Sequence, residues 1–195
     1  MAEEHHTLSP QGSAGLEVTP VTRMGVSSLR YFGRAGEFSS AIASFLGVPL
    51  PEELGATDAP GVLGRAILAW RSPTETLMLC ENEALIGQLQ THTAALDDGC
   101  VVDQTGGFTV LRASGAGVDD LFARIGGQGC LPRMGESRRG RLAEVPVLAL
   151  HVEPSEFFLI VERAYGTHLV GWISAHLAAS SLCDQSRALT RRSPA

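Results

Sequence analysis

Metal chemistry announces itself in a sequence by His, Cys or carboxylate side chains at short, repeated spacings on one element. The six histidines, His5, His6, His92, His151, His168 and His176, form no H-x-x-x-H and no H-E-x-x-H. His168 and His176 fall on one side of a helix but two turns apart. Cys80, Cys100, Cys130 and Cys183 never form C-x-x-C. Neither a disulfide framework nor a zinc site of the usual spacing is expected, and Cys80 and Cys100 read as buried strand residues. No G-x-S-x-G elbow presents a nucleophile, and no cysteine stands in an evident His/Asn pattern. Four glycine-rich pieces, GRAGEF, QTGGF, ASGAG and RIGGQG, lack the spacing of a phosphate loop. ASGAGVDD does join a strand to a helix, but Asp119 and Asp120 already occupy the positive end of that helix and would repel an anion. Glu81/Glu83 and Asp97/Asp98 likewise sit at helix ends. No catalytic, cofactor-binding or metal-ligating residue is therefore assigned.

The strongest chemical anomaly is basic. Arg133, Arg138, Arg139 and Arg141 crowd one stretch, expected to be a loop, of a chain whose formal net charge is −6. Such a cluster suits an acidic partner surface or a ligand carboxylate. The overall acidity argues against nucleic acid, whose binding needs a basic face. No run reaches the roughly 18 apolar residues of a membrane span. Acids stand where a secretory signal would be basic, which sets a cytoplasmic expectation. Hydrophobic residues are 44% of the chain and charged residues 18%, enough to bury a good core and still leave apolar surface.

The elements that would carry these residues recur. AWRSPTETLMLC and LHVEPSEFFLIV both read as strand, Pro-containing turn and strand, with Pro73 and Pro154 81 residues apart and Glu75 and Glu156 likewise. Leu29-Arg30 and Leu111-Arg112 are 82 apart, as are Gly33 and Gly115. The pattern predicts strands over 26–33 and 107–115 and helices over 36–47, 82–96, 116–127 and about 163–178. Residues 48–61 and 128–139 read as loops. The expected fold is α+β: two β-α-β-β-α units in pseudo-repeat, forming mixed, mainly antiparallel sheets with helices packed on them. Residues 1–25 read as a flexible arm and 180–195 as a flexible tail. A single domain spans 26–179, with halves near 26–98 and 99–179. The last helix is expected to turn Leu169, Trp172, Ile173 and Leu177 inward.

In order, LRYFG, FLGVPLP, GRAILAWRSPTETLML, VVDQTGGFTVLRASGAGVDDLFARI and GRLAEVPVLALHVEPSEFFLIVERAYGTHLVGWI resemble the gamma subunit of heterotetrameric sarcosine oxidase over about 26–178. That family is similar in fold to the N-terminal folate-binding region of aminomethyltransferases such as the glycine-cleavage T-protein. The resemblance implies a non-catalytic subunit of a complex that oxidatively demethylates sarcosine to glycine, with hydrogen peroxide and formaldehyde or methylenetetrahydrofolate as the other products. It implies larger alpha and beta chains and a small delta chain as partners. FAD, FMN, NAD, tetrahydrofolate and zinc would then belong to those partners, with no cofactor on this chain. Where aminomethyltransferases typically carry an Asp pair near the second hairpin, this chain has Glu144 beside Val145. The alternative is a free-standing folate-binding or one-carbon-transfer domain, with Glu144 or Asp103 holding the pterin and the basic stretch holding the glutamate tail.

Overall fold

The computed structural model describes residues 15–61, 64–154 and 156–190. The chain runs β1 (Glu17–Pro20), β2 (Gly25–Tyr31), α1 (Glu37–Leu46), β3 (Ala56–Gly61), β4 (Gly64–Ser72), β5 (Glu75–Cys80), α2 (Ala84–Thr93) and β6 (Gly99–Asp103). The same order then returns as β7 (Phe108–Ser114), α3 (Val118–Ile125), β8 (Glu136–Leu142), β9 (Val145–Glu153), β10 (Glu156–Glu162) and α4 (Arg163–Thr190). The α+β class and the doubled plan are as read from the sequence. All the strand pairings are antiparallel.

Two five-stranded sheets result, ordered β3-β4-β5-β2-β6 and β1-β7-β10-β9-β8. Each lead-in strand crosses over. β1 precedes β2 in the chain yet pairs with β7, and β6 precedes β7 yet pairs with β2. The repeat unit is therefore longer than the sequence reading had it. It opens with β1 in one half and β6 in the other, whose first residues Glu17 and Gly99 are 82 apart. The boundary near residue 98 marks a repeat in sequence and not two separable bodies.

The sheets stack face to face. Val26, Ile67, Leu77 and Leu79 of the first meet Val110, Leu148, Leu150, Phe158 and Ile160 of the second in a shared apolar layer. Each outer face is covered by helices. Phe38 and Ile42 of α1 and Leu85 and Leu89 of α2 pack on the first sheet. Val118 and Phe122 of α3 and Leu169 and Ile173 of α4 pack on the second. The four layers follow from two sheets that are each apolar on both faces. α1 ends where Gly47 takes a left-handed φ of 74° and its N–H bonds to the carbonyl of Ala43. Asn82 caps α2, its Oδ1 accepting the N–H of Ala84 at 3.1 Å.

Several expectations are corrected. Residues 17–20 are not part of an arm: Val18 is fully buried and Leu16 nearly so, both in the core under α3 and α4. Residues 1–14, with His5 and His6, lie outside the described residues. The loop over 48–61 contains β3, which accommodates Pro60 because it is an edge strand. The loop over 128–139 ends in β8. The expected C-terminal tail is helical to Thr190, and residues 191–195 are outside the description. Cys80 is buried as expected but Cys100 is exposed, because β6 is an edge strand. Trp172 is 49% exposed instead of inward, because Leu169 and Ile173 already fill the face of α4 that meets the sheet. No helix among the described residues is long and apolar enough to cross a membrane.

Candidate functional site

Alternation along β8 disperses the arginine cluster. Arg138 shares the face of Glu136 and Leu142, while Arg139 and Arg141 share the opposite face with Ser137. Arg138 Nε donates to Glu136 Oε2 at 2.9 Å, and Arg141 Nη2 donates to the carbonyl of Glu144 at 2.5 Å. The backbone N–H of Arg133 also donates to Glu136 Oε2, at 3.0 Å. The hydrogen bond from Arg138, then that from Arg133, holds the Glu136 carboxyl below its ordinary value near 4.5. Two of the four guanidinium groups are thus paired within β8 and its turn. The sheet edge they decorate is charged as edge strands usually are.

Asp103 and Glu144 do not converge either. Asp103 closes β6 in a tight turn, its Oδ1 accepting the N–H and hydroxyl of Thr105 at 2.9 and 2.7 Å. Ala143 and Glu144 form the two-residue turn between β8 and β9, with φ of 48° and 65°, and the Glu144 side chain is 94% exposed. β8 touches the first sheet through the Gly55–Glu136 bridge, beside β3 and at the edge opposite β6. The two carboxylates therefore stand at opposite edges.

The repeated glutamates of the two hairpin turns have a clear role. Glu75 accepts the Ser28 hydroxyl at 2.5 Å and Arg71 at 3.0 Å. Arg71 in turn lies 5.6 Å over the ring of Phe108 in the other sheet. Glu156 pairs with Arg112 and, at 3.7 Å, with Arg65, which also reaches Asp58 at 3.0 Å and Glu153 at 2.6 Å. Burial acts to lower the Arg65 pKa, but the hydrogen bond and charge of Asp58, with the charges of Glu153 and Glu156, outweigh it and raise it. At both turns an arginine of the first sheet reaches across to the second. The hairpins fasten the sandwich.

A recess of about 720 Å³ lies at the end of β2, walled by Arg30, Tyr31 and Phe32, the β4–β5 turn and residues 97–100. Phe32 is 87% exposed. Asp98 is occupied in capping α1, its carboxylate accepting the N–H of Phe38 at 3.0 and 3.2 Å. Arg30 lies 3.8 Å from Glu75. The sequence reading passed over Phe32, Asp97 and Cys100 because a helix-end acid, an aromatic and a lone thiol carry no spacing signal. The one available signal was the repeat itself, which aligns Phe32 with Ser114. Among the histidines, His92 tilts against Phe45 and His151 stacks on Phe157. No group of three or more His, Cys, Asp or Glu side chains that could hold a metal occurs among the described residues.

No protein-family model matches the chain, and no curated protein sequence is significantly similar to it. Solved structures do match. A chain of the heterotetrameric sarcosine oxidase from Corynebacterium sp. U-96, in complex with pyrrole 2-carboxylate, superposes with a TM-score of 0.77 at 22% identity, covering 89% of each chain. The glycine cleavage system aminomethyltransferase T from Bartonella henselae superposes with a TM-score of 0.62 at 12% identity, over 82% of this chain and 45% of that one. The two stacked antiparallel sheets flanked by helix pairs are thus the fold shared with a heterotetrameric sarcosine oxidase chain and with part of aminomethyltransferase T.

Proposed function

We propose that the chain is the non-catalytic gamma-type subunit of a sarcosine oxidase complex, which demethylates sarcosine oxidatively to glycine, with hydrogen peroxide and formaldehyde or methylenetetrahydrofolate. The observation that carries this reading is the extent of the likeness. It covers 89% of both this chain and the sarcosine oxidase chain, so the two are of about equal length. In aminomethyltransferase T the same fold is less than half of the protein. FAD, FMN, NAD, tetrahydrofolate and zinc would reside on larger alpha and beta chains and a small delta chain. The folate alternative draws on Glu144 or Asp103, and these stand apart with Asp103 already bonded to Thr105. Co-expression with the flavin-bearing chains tests the reading. The expected result is one yellow peak on gel filtration containing this chain. Elution as a separate colourless protein would overturn it.

A further inference from the structure

The two halves share one frame, so a feature present in only one of them is not demanded by folding. Arg30 and Arg112 correspond, as do Glu75 and Glu156, but the position of Phe32 is held by Ser114 in the second half. Ser114 is half-buried and pairs with Glu17 and Glu156. Phe32 instead stands 87% exposed over the recess. A single exposed ring is ordinary by itself; here it forms part of the wall of a concavity, the setting in which an aromatic side chain holds a bound group. β6, which forms the recess wall through Gly99 and Cys100, is an edge strand; Gln90 of α2 donates to the Val101 carbonyl at 3.3 Å, so the stretch of this edge beside the recess is its Gly99–Cys100 end. Such an edge is a template for another extended chain. The charges at the mouth narrow the choice. Glu75 holds both Arg71 at 3.0 Å and the recess-lining Arg30 at 3.8 Å, and Asp98 caps the N-terminus of α1, whereas Asp97 is exposed and has no ion pair among the described residues.

Resting on the assembly reading above, we propose that this recess seats an extended segment of a partner chain. That segment lies against the Gly99–Cys100 end of β6, presents an apolar side chain to Phe32 and sets a lysine or arginine against Asp97. The partner is thus recognised by a basic-apolar strand. Its seat is distinct from the arginine-bearing edge at β8.

Cys100 supplies a reporter, since it is exposed and lines the recess, while Cys80 is buried. Burial, then the nearby Glu83 and Asp103 charges, push the Cys80 thiol up to about 11, so it serves as an unreactive control. The experiment uses the co-expressed complex, N-ethylmaleimide and peptide mass spectrometry, with the variants Phe32→Asp and Asp97→Arg. Alkylation of Cys100 is expected to slow by about tenfold or more in the complex relative to the free chain. Phe32→Asp is expected to weaken association by about thirtyfold or more, as loss of a buried aromatic anchor does, and Asp97→Arg by less. Both variants should keep the thermal midpoint of the free chain, because both positions are exposed. A yellow complex that retains Phe32→Asp at wild-type affinity and leaves Cys100 freely reactive overturns the seat while the assembly stands. A wild-type chain that never joins the flavin chains overturns the assembly reading and this inference together.

Discussion

Glu136 shows how little of a residue's role its charge alone discloses. In sequence it is one acid beside a run of arginines. In the fold its carboxylate collects Arg138 Nε and the N–H of Arg133, and its backbone N–H bonds to the carbonyl of Arg133 at 2.9 Å. It thereby closes the turn that leads into β8. Because the folded protein holds this carboxyl below its ordinary value near 4.5, the ionised form is favoured by folding. Its contribution to stability is complete above pH 4.5 and is lost as pH falls through the depressed folded-state value. Urea unfolding between about pH 6 and about pH 3 should accordingly show Glu136→Gln losing less stability on acidification than the wild type. Parallel curves for the two proteins would refute this role.

At the scale of elements, the informative case is β1. It is four residues long and ends in proline, and local pattern gives it no claim to be a strand. It forms because β7 offers an open edge and because Leu16 and Val18 fill the core beneath α3 and α4. Gly115, with φ of 104°, lets the segment pass: a Cβ there would collide with the carbonyl of Gly15. Leu16→Ala should cost about 2–5 kcal/mol, the range for truncating a buried leucine. Denaturant titration is the measurement. A loss no larger than that of an exposed substitution would mean that the N-terminal segment is the dispensable arm its composition suggested.

For the whole molecule, the exchange of lead-in strands and the apolar layer between the sheets make each half depend on the other. A half left alone would expose Val26, Ile67, Leu77 and Leu79 on an uncovered sheet face. The intact chain should therefore unfold in one step. Trp70 on β4 and Trp172 on α4 report the two halves separately. Fluorescence of the single-tryptophan variants Trp70→Phe and Trp172→Phe should give the same midpoint as far-ultraviolet circular dichroism. Two resolved midpoints would show independent halves.

Short-range pattern in the sequence settled the four helices, the two long hairpins and the 82-residue recurrence. Apolar periodicity and turn chemistry act between residues a few positions apart, and Phe38, Ile42, Leu85 and Phe122 all turned inward as that periodicity requires. The edge strands β1 and β3 were not legible, since each is stabilised by a neighbour distant in the chain and not by its own composition, and β6 was read as strand at Cys100 but not as an exposed edge. For the same reason only the assembled sheets decided that Arg133, Arg138, Arg139 and Arg141 would be spread along an edge, that Asp103 and Glu144 would part, and that Phe32 would be left facing water. Side-chain convergence is a property of strand order and register, and in this chain both are set by pairings between residues as distant in sequence as Glu17 and Ser114 or Ser27 and Asp103.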